Sequence, residues 1–333
     1  MYAVLEQRTP LTFARHPDCL AEGIRRTLAY ADLFRYPLAA HEVHRYLHDP
    51  GTGGEQVQVA LLAGIDGVAA EGGYYAPSGR SGLAGRRRSR RLASASLSTR
   101  ARGYGLLLKH LPYVRMVGLT GSLAMRYPAR RSDIDLMIVT APGRVWLCRA
   151  AVVAVVRLVG LGGDVLCPNY LVAEDALALD DVTIYDAHEL AQMLPLYGRE
   201  AYLRLWAANR RVQSLLPNAR PRRMAPDSLL PVLGALKVAA ERLLGGALGD
   251  RLERWELRRK SARLRRGAVP PAGESILSAQ QCKGHFGAHR ARILAGYAQA
   301  RAVLEATEPG RSRHGNPRHP LPAAIRTNGS ERG

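Results

Sequence analysis

Apolar positions recur at helical spacing twice between residues 20 and 48, with Ile24, Leu28, Ala31 and Leu33 in the first block and Val43, Tyr46 and Leu47 in the second. Pro37 separates them. A third helical block is predicted near 55–70, followed by a short strand at Tyr74-Tyr75 after Gly72-Gly73. Beyond an Arg-dense segment over 80–110, two apolar runs read as strands, Val114–Leu119 and Ile134–Thr140. Residues 144–160 are apolar almost all round, interrupted by Arg149 and Arg157, which reads as a packed crossover helix. A further strand is predicted over 164–172 after Gly162-Gly163. Helical spacing then continues over 183–216 on either side of Gly198, and over 227–266. From about 306 Gly, Pro, Arg, Asn and Ser dominate, the composition of a disordered tail.

This order predicts an α+β chain: a module over 1–79, an Arg-rich linker helix over 80–110, a mixed-sheet core over 111–182, a helical domain over 183–266, a further helical region over 267–305 and the tail over 306–333. With 333 residues there is room for two or three domains. No window has the roughly 18 uninterrupted apolar residues of a spanning helix, no secretory leader pattern opens the chain, and Cys19, Cys148, Cys167 and Cys282 form no CxxC pair. A reducing cytoplasm with free thiols is the expected setting.

The formal charge of +20 becomes informative once it is located. Residues 1–79 hold 6 basic and 9 acidic side chains, 80–102 hold 8 and 0, 103–198 hold 8 and 9, and 199–333 hold 26 and 10. The excess therefore lies in the Arg-dense segment and the C-terminal third. The segment Arg86-Arg87-Arg88-Ser89-Arg90-Arg91 admits two readings, a solvated linker helix or a surface that tracks phosphates. The basic helix ending at Arg266 admits three: RNA, an anionic membrane, or a plain surface.

Three helices and a small hairpin resemble the winged-helix modules often fused to nucleotide-handling enzymes. DNA readout needs a basic face, and this module is net negative, which favours a docking or regulatory role. His41, His44 and His48 fall at i, i+3 and i+7 and read as a plain helix surface, since no Cys or carboxylate is arranged with them.

The chemistry concentrates between residues 114 and 140. An apolar strand leads into Gly121-Ser122, a polar loop follows, and a second strand carries Asp133 and Asp135 on either side of Ile134. Alternation on a strand turns both carboxylates to one face, where they can share hard cations. Gly121 allows close backbone approach, and the Ser122 hydroxyl with nearby N–H groups can hold a phosphate. Gly-Ser, ten residues, then Asp-Ile-Asp resembles the signature of the polymerase-β-like nucleotidyltransferase superfamily, and Ser132 ahead of the acids agrees with it.

That resemblance implies a small mixed sheet flanked by helices. It further implies that Gly121, Ser122 and Ser132 hold the terminal phosphates of a nucleoside triphosphate (NTP), and that Asp133 and Asp135 coordinate a two-ion Mg²⁺ site, with Mn²⁺ as a substitute. A third carboxylate on a later strand usually completes such a site. Asp164 is the candidate, with a strand-initiating turn residue as its other reading; Asp180, Asp181 and Asp186 follow and look like loop positions. Arg199, Arg204, Arg210 and Arg211 read mainly as a solvated face that could reach triphosphate oxygens. The expected activity is transfer of a nucleoside monophosphate from an ATP-like NTP to a hydroxyl acceptor with release of pyrophosphate. Arg-rich flanks make RNA, a tRNA end among them, one acceptor class. The competing expectation is a nucleotide-sensing regulatory protein with a degenerate transferase fold.

Overall fold

α1 (Pro17–Asp32) packs Ile24, Leu28 and Ala31 inward, and its end is closed by Tyr36 N donating to Ala31 O at 3.1 Å. The chain turns through β1 (Leu38–Ala39) into α2 (Ala40–Arg45) and α3 (Gly54–Ala63), then forms the hairpin β2 (Val68–Glu71) and β3 (Tyr74–Pro77). These strands make a three-stranded antiparallel sheet in the order β1-β3-β2. The computed structural model describes residues 17–48, 52–128, 132–159, 166–266, 276–283 and 289–307. Asp164 and the tail from 308 lie outside the described residues.

The Arg-dense segment is one long helix, α4 (Leu83–Leu108). Its arginines are not a uniform solvated face. Arg87 is buried and donates to both Glu42 oxygens, at 2.6 and 2.7 Å, and to Pro37 O. Its guanidinium also lies 4.2 Å from the Tyr36 ring centre and 4.5 Å from that of Tyr74. Burial alone would raise the Glu42 carboxyl, but the Arg87 fork overrides it and holds the group below its ordinary value. Glu42 also accepts from Ala39 N at 2.9 Å, so one carboxylate caps α2 and ties it to α4. Arg90 stacks over Tyr127 at 4.2 Å. Arg86, Arg88 and Arg91 remain exposed, so the helix serves packing on one side and solvent on the other.

The larger sheet follows: β4 (Val114–Leu119), α5 (Gly121–Ala124), β5 (Ile134–Thr140), α6 (Val145–Val159) and β6 (Leu166–Ala173). β4 and β5 pair antiparallel, whereas β5 and β6 are parallel and joined by the α6 crossover, as parallel neighbours require. Both central strands are apolar on both faces because helices cover both. The chain continues through α7 (Ile184–Gln192), β7 (Leu194–Tyr197), α8 (Arg199–Ala208), α9 (Arg211–Leu215), α10 (Pro231–Leu243) and α11 (Ala247–Arg266). It closes with β8 (Ile276–Leu277), β9 (Gln281–Lys283) and α12 (His289–Thr307). The six strands lie in the order β7-β4-β5-β6-β9-β8, an α+β architecture.

Three sequence expectations are corrected here. Residues 194–197 form an edge strand on β4 and not helix; Pro195 lacks a donor and is tolerated at an edge, where the register slips between Val117 and Gly118. The region over 267–305 is not wholly helical, because 276–283 form a hairpin. Ser278 Oγ accepts from Gln281 N at 2.9 Å in its turn, and β9 extends the sheet along β6. His48 does not share a helix surface with His41 and His44, since α2 ends at Arg45. Its ring is buried instead, with Nδ1 2.6 Å from the Tyr297 hydroxyl and Nε2 3.2 Å from His188 Nε2. His188 in turn stacks on Tyr30 at 3.9 Å, and this cluster docks α12 against α1 and α7.

A continuous apolar core joins the N-terminal helices to the larger sheet: Ile24, Leu28, Val43 and Leu47 belong to the same cluster as Met116, Met137, Val139, Tyr202 and Trp206. A second cluster on the other face packs Leu108, Val117, Ile138, Trp146 and Val152 beneath α4 and α6. The ends of β4 and β5 are thereby clamped between two cores, which fixes the turn at Thr120–Ser122.

Candidate active site

β4 leaves the sheet at Thr120, whose N–H donates to Asp135 O at 2.9 Å. The chain then makes one helical turn, α5, anchored by the buried Leu123 and Ala124, and Tyr127 N closes onto Ser122 O at 2.9 Å. Gly121 stands in the left-handed region, at φ +67. A Cβ there would meet Asp135 Oδ2 at 2.6 Å, so glycine is required twice, by its dihedral and by the carboxylate lying over it. Ser122 Oγ and Ser132 Oγ lie 3.4 Å apart. Gly121, Ser122, Ser132 and Asp135, spread over fifteen positions, thus converge at one end of the β4–β5 pair.

Asp133 is exposed and Asp135 half-buried, with Ile134 buried between them. Burial, and then the charge of Asp133, push the Asp135 carboxyl up to about 7; burial also raises Asp133. Two carboxylates in this relation repel, and a divalent cation shared between them removes the penalty. Among the described residues no three His, Cys, Asp or Glu side chains are grouped to hold a metal. Mg²⁺ is commonly held by one or two carboxylates with substrate phosphates and water completing its shell, so the donor set Asp133 and Asp135 fits a cation that arrives with a triphosphate.

On β6 the residue paired with Asp135 is Cys167. Burial, followed by the charges of Asp135 and Asp133, raises its thiol to about 12, so it stays protonated at neutral pH. Asp186 is not in a loop. It sits at the third position of α7, accepts from Thr183 N at 3.0 Å and Thr183 Oγ1 at 2.6 Å, and receives Arg290 Nε and Nη2 at 3.1 and 2.9 Å. Its capacity is used in capping α7 and binding α12. Arg204 is likewise engaged, with Glu174 and Glu200 each at 2.6 Å.

One carboxylate escaped the sequence reading. Glu189, one turn beyond Asp186 on α7, is pushed up to about 7 by burial and then by the charge of Asp135, with Lys283 of β9 opposing the shift. Glu189 and Lys283 line a cavity with Asn169, Tyr170, Asp186 and Thr120, the residue whose N–H is bonded to Asp135 O. Only the fold brings them there; the helical spacing over 183–216 singles out no chemistry at Glu189.

No protein-family model, curated protein or solved structure matches the chain, so the functional reading rests on these residues and their geometry.

Proposed function

We propose that this chain is a Mg²⁺-dependent nucleotidyltransferase that moves a nucleoside monophosphate from an NTP to a hydroxyl acceptor and releases pyrophosphate. The observation that carries the reading is the Asp133–Asp135 pair, electrostatically coupled, with Asp135 packed over Gly121, and Ser122 and Ser132 within 3.4 Å of each other at the same turn. Gly121 leaves backbone room, and the two serine hydroxyls supply donors for the outer phosphates. Asp133 and Asp135 hold the cation, which when bound neutralises phosphate charge and favours in-line attack at the α-phosphorus. Glu189, half-buried in the cavity it lines with Thr120 and Lys283 and raised to about 7, is the group suited to take the proton of the acceptor hydroxyl. The exposed arginines Arg86, Arg88 and Arg91 of α4 favour RNA as the acceptor.

A second reading has one observation in its favour. Cys167, and not an acid, pairs with Asp135 on the neighbouring strand, which suits a protein that binds nucleotide without turnover.

Incubation with each labelled NTP, Mg²⁺ and total RNA separates the two. Transfer is expected with the wild type and not with Asp133→Ala/Asp135→Ala. Nucleotide binding without label transfer to RNA, protein or small hydroxyl compounds, in the presence of a working control enzyme, would replace the transferase reading with the sensing one.

A further inference from the structure

Helices on the surface of a globular protein turn their apolar stripe inward. α10 does the reverse. Its buried residue is Lys237, whose Nζ donates to Lys109 O at 2.9 Å and Val114 O at 2.7 Å. One turn on, the Glu241 carboxylate accepts from Tyr113 N at 2.6 Å and grips the Arg115 guanidinium at 2.8 and 3.0 Å. Two charged side chains at i and i+4 therefore pin the helix to the start of β4. The opposite stripe is Val232, Leu236, Ala239 and Leu243, and its three large residues are 72%, 60% and 76% exposed. An apolar stripe turned to water on a helix anchored by its charges needs a cover.

α11 shows what kind of cover. Its acids turn in: Glu253 accepts from Trp146 N and Leu147 N at 2.8 Å each, and Glu256 is buried with Arg259 Nε at 2.8 Å. Its bases turn out, with Arg251, Arg254 and Arg258 exposed around Trp255, itself 58% exposed. Arg144 ties the junction of the two helices to one corner of the core, donating to Gly245 O at 2.9 Å and pairing with Asp250 at 2.7 Å.

We propose that α10 and α11 form an interfacial anchor that lies on an anionic membrane surface. The α10 stripe enters the boundary between headgroups and acyl chains, the arginines of α11 meet lipid phosphates, and Trp255 sits at the interface. Valine and leucine on the outer stripe distinguish this surface from a nucleic-acid face, whose phosphates make no use of them. Charge distinguishes it from a self-contact, because two copies of the same basic face repel. The attachment is peripheral: no described helix is long and apolar enough to cross a membrane.

The test mixes the full chain with vesicles of phosphatidylcholine, alone or with phosphatidylglycerol, and reads co-sedimentation and tryptophan emission. Trp146 and Trp206 are buried, so a blue shift on vesicles reports Trp255. Binding is expected only to the anionic vesicles and should weaken with salt. Leu236→Asp/Leu243→Asp should lower it by roughly tenfold or more without moving the thermal melt, since both side chains stand in solvent. Three results would overturn the proposal: no partition into anionic vesicles, partition that the double variant does not change, or a solution dimer or RNA complex that the double variant abolishes while vesicles go unbound.

Discussion

Gly121→Ala is the most informative single change. The added Cβ would lie 2.6 Å from Asp135 Oδ2, and ordinary contact begins at 3.4 Å, so the carboxylate must retreat by about 0.8 Å. A displacement near 1 Å at reacting groups costs on the order of 10²-fold in rate. The dihedral of φ +67 adds roughly 1–2 kcal/mol of backbone strain for any residue with a Cβ. Gly143 supplies the control. It stands at φ +63, with nothing within 4 Å of its Cβ position, so Gly143→Ala carries the same strain and no clash. Both variants should lose a few degrees of melting temperature. In the labelled-NTP assay, run well below that melt, only Gly121→Ala should lose about two orders of magnitude in transfer. If Gly121→Ala keeps wild-type transfer, or loses no more than Gly143→Ala, the packing of Asp135 over Gly121 does not set the geometry of the site.

Asp135→Asn should stabilise the metal-free protein at pH 8 by about 1–4 kcal/mol, because the native carboxyl, raised to about 7, must there carry a charge that burial and Asp133 disfavour. The gain should shrink as pH falls from 7 toward 4, as the native group takes up its proton, and denaturant melts at both pH values check the sign. The Glu42–Arg87 pair should behave as a buried ion pair: Arg87→Ala loses about 3 kcal/mol or more by stranding Glu42, and Glu42→Leu/Arg87→Met recovers much of it. A double-mutant cycle with no coupling energy would contradict this. His48 is held near 3, by burial first and then by the charges of Arg26 and Arg301, so the unfolded chain binds a proton below about 6.5 that the folded chain refuses. The stability advantage of wild type over His48→Gln should therefore fall as pH drops from 7 to 4. An advantage independent of pH over that range would show that His48 does not stay neutral.

The acid pair and the Gly-Ser turn were legible because their signal is local: two alternating carboxylates at the head of an apolar strand, and a glycine before a serine at the end of another. The central strands could be read for the same reason, since burial on both faces leaves unbroken apolar runs. Strand β7 was not, because Leu194-Pro-Leu-Tyr197 is too short for its period to separate strand from helix, and pairing with β4 decides it. Glu189 and Lys283 were invisible as site residues, since α7 and β9, the latter paired with β6, meet around one cavity only in the folded protein. The arginine run was legible as a helix but not residue by residue: the sequence shows a charge and not its partner, and Arg87 is paired with Glu42 inside the protein.

The pairing of β6 with β9 carries a consequence for how the protein is made. Tyr170 pairs with Lys283, so the strand beside the acids waits for a partner synthesised more than a hundred residues later. At 5–20 residues per second that interval is on the order of 10 seconds. Throughout it the ribosome-bound chain presents an open edge on β6, the kind of edge that invites mispairing. The lysine that completes the cavity is also among the last parts to arrive, so a prematurely terminated chain would emerge with its acid pair assembled and its pocket unwalled.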